Sequence, residues 1–208
     1  MRTELDTVLF PNRCDVVELP HHNQWVYLIQ KNGNSSLRIQ QKRDNLAVFT
    51  NEQIATLAFV DVYIREPQAR YISGVNTYLQ FLQRDHPTLD FATAFWFAKE
   101  YKFLNTHYLP QFHWLANLSQ YLHSDTKIRF RNFDDFYKIA DCHSRAKIVP
   151  PTKEFVSDLL TDNKNLELWL HLDRILLELS GKEMTWAQLL QHYQTHHKNI
   201  IEHVLPKT

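Results

Sequence analysis

Two short segments gather the residue types that grip and transfer charged groups. The first is Lys31-Asn32-Gly33-Asn34-Ser35-Ser36-Leu37, and the second runs from Arg65 through Glu66, Pro67 and Arg70 to Ser73. In the first, Gly33 lets backbone N–H groups approach an anion, Ser35 and Ser36 add hydroxyl donors, and Lys31 adds a full cation. A helix starting there would point its positive end at the same place. In the second, an arginine offers planar, multi-donor recognition of phosphate, and a serine one turn into a helix donates from the side. The Gly-x-x-x-x-Gly-Lys-Ser/Thr spacing of an ATP or GTP cradle is absent, which counts against a small kinase.

Each segment also has a bland reading. Asn32-Gly33 between Val26-Tyr27-Leu28-Ile29-Gln30 and Leu37-Arg38-Ile39-Gln40 is a strong β-hairpin signal, because Asn-Gly supplies the positive φ angles of a type I′ turn. Taken alone, the first segment favours the hairpin. Arg65 has Asp61 and Glu66 nearby as surface ion-pair partners, and such pairs stabilise little. Arg70 reads best as a salt-bridging or packing residue. Arg70, Ser73 and Thr77 stand at i, i+3 and i+7, a polar stripe beside the apolar face of one helix.

The order and spacing of these residues resemble the PAPS-dependent carbohydrate sulfotransferases of the Golgi-type group and their bacterial and phage relatives. (PAPS is 3′-phosphoadenosine 5′-phosphosulfate.) Lys31, Gly33, Ser35 and Ser36 match that family's Lys-Gly-Ser loop. Arg65, Pro67, Arg70 and Ser73 match its Arg-x-Pro-x-x-Arg-x-x-Ser motif position for position. A weaker echo, His107-Tyr108-Leu109-Pro110-Gln111, is similar to a His-x-x-Pro-Gln stretch. The likeness covers about residues 10–140. Asn32 and Asn34 depart from it, standing where many members carry small or hydroxyl residues, and the chain is short for the group. The likeness does not extend beyond about residue 140.

The resemblance implies a fold, a cofactor and roles. It implies an α/β, P-loop NTPase-like three-layer domain with a short parallel sheet. Lys31, Asn32, Gly33, Asn34, Ser35 and Ser36 would hold the 5′-phosphosulfate of PAPS, with Lys31 stabilising charge on the departing bridging oxygen. Arg65 and Ser73 would bind the 3′-phosphate. No metal is required. The acceptor is expected to be a hydroxyl, with carbohydrate as the expected class. His107 is the candidate general base, since an imidazole can be neutral at pH 7; His21 and His22 are rivals that the sequence does not separate from it. The other function classes are a small nucleotide-dependent kinase and a non-catalytic nucleotide- or ligand-binding protein on the same fold.

Positioning such residues needs strands that end at them and helices that start there. Residues 25–29 and 58–64 are apolar, β-rich runs, with a helix-compatible stretch at 35–44 between them. Ile72, Val75, Leu79 and Leu82 lie on one face of a helix over 67–83, with Pro67 at its first position. Further helices are expected at 90–101 and 115–122, a loop at 107–111 and a short strand at 127–130. Helices at 155–160, 166–179 and 185–204 would form a C-terminal extension, with Gly181 ending the middle one. His192 and His196 sit at i, i+4 without a third ligand and read as a solvated helix face. Trp114, Trp169 and Trp186 are expected in the core.

At 208 residues the chain fits one domain with a real core, and 44% apolar content excludes a disordered chain. Lys+Arg and Asp+Glu both count 23, so no global field recruits nucleic acid or an anionic membrane. Cys14 and Cys142, distant and without a Cys-x-x-Cys pair, read as reduced thiols. With no apolar leader and no run of roughly 20 apolar residues, a cytoplasmic location is expected.

Overall fold

The computed structural model describes residues 15–100, 109–140 and 164–197. They form a mixed five-stranded sheet in the order β1-β2-β3-β4-β5. The strands are β1 (Val16–Leu19), β2 (Gln24–Tyr27), β3 (Phe59–Ile64), β4 (Lys127–Asn132) and β5 (Glu183–Met184). The central pairs β2–β3 and β3–β4 are parallel, whereas β1–β2 and β4–β5 are antiparallel. The expectation of a parallel sheet is therefore corrected at both edges. β1 and β5 are only four and two residues long, too short for a period-2 pattern to stand out in the sequence.

The helices are α1 (Asn34–Asp44), α2 (Asn51–Ile54), α3 (Pro67–Asp85), α4 (Phe91–Glu100), α5 (Gln111–Leu118), α6 (Phe133–Ile139), α7 (Lys164–Glu178) and α8 (Trp186–His196). Alternation along the strands sends side chains to two opposite faces. On one face Val60, Val62, Ile64, Ile128 and Phe130 pack with Phe112 and Leu115 of α5, Leu172 and Leu176 of α7, and Leu189 and Tyr193 of α8. On the other, Val17, Val26 and Tyr63 pack with Leu37 of α1 and Phe133 and Phe136 of α6. A further cluster joins Tyr71, Val75 and Leu79 of α3 to α4 and to Leu166 and Leu170 of α7.

Between β2 and β3 the path is a helix followed by a return along the sheet edge. After α1, residues 47–49 run beside β1: Glu18 N donates to Ala47 O (3.1 Å) and Phe49 N to Val16 O (2.9 Å). The Asn32-Gly33 hairpin is overturned. β2 pairs with the strand before it, and α1 begins directly after Gly33. Lys31 (φ 69°) and Gly33 (φ 78°) take the left-handed conformation, rather than Asn32 and Gly33.

Helix 67–83 extends to Asp85, and helix 115–122 instead starts at Gln111, with Pro110 as its N-cap. The residues expected to be a loop at 107–111 thus end in a helix start. The helix expected at 155–160 and the end of that expected at 185–204 lie outside the described residues, as do Cys14, Cys142 and His107. Among the described residues no helix is long and apolar enough to cross a membrane.

Candidate functional site

The two segments meet at the C-terminal ends of β2 and β3. Because these strands are adjacent and parallel, the turn after β2 and the residue after β3 emerge side by side. Gly33 is the N-cap of α1 and has no side chain to cap it, so the first N–H groups of that helix rely on outside acceptors. Its left-handed φ suits glycine. A methyl group there would lie 2.1 Å from Cε1 of Phe136, so α6 presses on the turn and excludes any larger residue.

Arg65 folds back onto the turn, its Nη1 donating to Lys31 O at 2.9 Å, and its guanidinium lies 5.4 Å from the Phe133 ring centre. The surface pairings open to it in the sequence are taken up elsewhere. Asp61 is fully buried and receives Arg129 (2.5 and 3.1 Å) and Arg131 (2.9 Å) from β4. Glu66 caps α3, accepting from Gln68 N (3.0 Å) and Ala69 N (2.6 Å). A carboxylate at that position also favours the positive end of the helix.

Arg70, on the first turn of α3, is only 2% exposed. Its Nε donates to Gln30 O at 3.2 Å, and its Nη2 is buried with no hydrogen-bond partner. Burial draws the pKa of its guanidinium down to about 10, with Asp173 opposing that shift and Arg65 adding to it. It remains a cation at neutral pH. In the sequence the i, i+3, i+7 stripe of Arg70, Ser73 and Thr77 is visible, but its direction into the fold is not.

Lys31 Nζ donates to Thr77 Oγ1, which itself donates to Ser73 O (3.0 Å). Burial, then the charges of Arg65 and Arg70, bring the Lys31 ammonium down from 10.5 to about 8. Three cations thus influence one another at the start of α1. Ser73 and Thr77 follow Arg70 along α3 on the same stripe. The backbone of Asn34, Ser35 and Ser36 forms the first turn of α1.

Asn32 points inward. Its Nδ2 donates to Tyr63 O (2.7 Å) and to Gln111 Oε1 (2.6 Å), tying the turn to β3 and α5. Gln111 also bonds both backbone groups of Arg65, its Oε1 accepting from Arg65 N (2.9 Å) and its Nε2 donating to Arg65 O (3.0 Å). Asp173 on α7, 2% exposed, accepts from Gln111 N (2.9 Å) and Phe112 N (3.1 Å) and so caps α5 from another element. Burial raises its carboxyl, opposed first by Arg70 and then by these hydrogen bonds. In the sequence Gln111 stands out only within the His-x-x-Pro-Gln echo. Asp173, 62 residues further on, carried no sequence signal.

His21 and His22 form a short 3-10 turn between β1 and β2 and are exposed. They stand at the opposite end of β2 from Lys31, so the fold does not bring them to the site. Half-buried His113, the third residue of α5, is drawn down to about 4 by desolvation and then by Arg70. Among the described residues no group of three or more His, Cys, Asp or Glu side chains is arranged to hold a metal ion. A surface cleft of about 420 Å³ lined by Glu183, Gln188, His192 and His196, among others, contains none of the residues above. His192 faces His196 there, ring centres 4.9 Å apart.

No family model, curated protein or solved structure matches this chain.

Proposed function

We propose that this protein is a PAPS-dependent sulfotransferase of P-loop-like architecture that transfers a sulfuryl group to a hydroxyl, with carbohydrate as the acceptor class. The observation that carries the reading is the meeting of Lys31, Arg65 and the buried, incompletely bonded Arg70 at the N-terminus of α1. Cations held together at a helix N-terminus suit a polyanion. Two grips on neighbouring strand ends suit an anion charged at two places.

In the reaction the acceptor oxygen attacks sulfur, the bond from sulfur to the bridging oxygen breaks, and the 3′,5′-bisphosphate leaves with the electron pair. The acceptor proton passes to a base, for which His107 remains the candidate. Negative charge grows on the bridging oxygen as the bond breaks, so a cation beside it stabilises the transition state more than the ground state. Lys31 takes that role after exchanging Thr77 for the ligand. Arg65 and Ser73 hold the 3′-phosphate, and Arg70 supplies positive potential from beneath. Neither grip calls for a metal.

A second reading, a non-catalytic ligand-binding protein on the same fold, is favoured by the bond that commits Lys31 to Thr77. Calorimetric titration with 3′,5′-adenosine diphosphate and with 5′-AMP separates the possibilities. Binding of the bisphosphate alone, lost in Arg65→Ala, is the expected result. Equal binding of both nucleotides, or of neither, overturns the sulfotransferase reading. Bisphosphate binding without sulfuryl transfer to any acceptor in a glycan screen favours the second.

A further inference from the structure

We infer that Gln111 and Asp173 are positioning residues that set the separation of the two grips from the far end of the chain. This inference rests on the anion-site reading above. The Gln111 amide is fully used. Its Oε1 accepts from Arg65 N and from Asn32 Nδ2, and its Nε2 donates to Arg65 O and, at 3.3 Å, to Asp173 Oδ2. An amide oxygen has two lone pairs and its nitrogen two hydrogens, so no capacity remains.

Asp173 fixes which way that amide faces. Its oxygens accept from Gln111 N and Phe112 N, so the NH2 end of the Gln111 side chain turns towards them and the amide oxygen towards Arg65 N–H and Asn32. A flipped amide would set oxygen against carboxylate and against Arg65 O. The same carboxylate holds Gln111 N and Phe112 N, so both backbone and side chain of Gln111 are located by α7. Asn32 lies within the Lys31 turn and Arg65 follows β3. One amide therefore joins the two grips, and one carboxylate orients the amide. The helical C-terminal part is in this view a component of the anion site.

The full-length chain, Asp173→Asn, Gln111→Met and the double variant provide the test. Hydrogen exchange is followed at residues 30–36 and 64–66, and 3′,5′-adenosine diphosphate affinity is measured alongside. Asp173→Asn keeps the side chain's shape and touches neither segment, yet exchange should rise in both together. Affinity should fall at least about tenfold, with a cooperative melt retained. The double variant should lose no more affinity than Gln111→Met alone, because Asp173 acts through Gln111.

Folded variants whose two segments exchange as in wild type overturn the inference, as does a rise confined to one segment. Additive losses of affinity overturn it as well. Should Gln111→Met fail to fold, Gln111→Glu, of nearly the same shape, takes its place. If wild type binds no bisphosphate, the proposed function falls, while the exchange data still decide whether the network couples the segments. If wild type binds and the variants bind equally well, the inference falls and the proposed function stands.

Discussion

A lysine whose ammonium is already drawn down to about 8 is a cation only just secured at physiological pH. Folding disfavours the charged form, so this group's contribution to stability rises as pH climbs from about 8 towards 10.5. Anion binding has the opposite preference, because it needs the charge. Bisphosphate affinity should therefore be nearly level below pH 8 and fall above it, by up to about tenfold per pH unit. Calorimetry in two buffers of different ionisation enthalpy should show proton uptake there. Lys31→Arg, charged throughout, should flatten the decline; an unchanged decline in that variant refutes the assignment to Lys31. The types and spacing of Lys31, Arg65 and Ser73 were legible in the sequence because they follow apolar strands. The burial of Arg70 was not, since the stripe it belongs to gave no sign of which side faced the interior.

At the scale of elements, the turn before α1 depends on α6, a helix the sequence reading did not anticipate. Seven residues with two Phe do not make a helical period, although Asn132 caps it through Asp134 N (2.9 Å). Phe136 stacks near Phe133 at 5.6 Å, meets Tyr63 edge-on at 5.1 Å, and closes on Gly33. Gly33→Ala combines a disfavoured backbone angle with that clash and should cost at least about 2 kcal/mol by chemical denaturation. Adding Phe136→Leu, which removes the ring edge, should recover part of the loss. Purely additive losses would mean that Phe136 is not what excludes the methyl group. The hairpin expectation failed at this same place for a related reason. Asn-Gly is a local signal, and the partner strand that β2 chose lies before it and beyond the reach of a turn rule.

For the whole molecule, the C-terminal helices are part of the core. Leu172, Ile175, Leu176, Leu179, Leu189 and Tyr193 are each 2% exposed or less and share one cluster with β3 and β4. Burying six such side chains contributes on the order of 10 kcal/mol, comparable to the total stability of an ordinary domain. A fragment of residues 1–140 should therefore show no cooperative thermal transition by circular dichroism, and a sharp one would refute this account. The sequence revealed these segments as helical but not that they cover the sheet, because helical character does not say what a helix packs against. The strip at residues 47–49 has its own consequence. It occupies the outward Glu18 N–H and Val16 C=O of β1, groups that otherwise offer a template for another chain. At the opposite side β5 presents only two residues. Unwanted growth of the sheet by strand addition, the usual route from an exposed edge to aggregation, is thus closed off along β1 and has little to start from at β5.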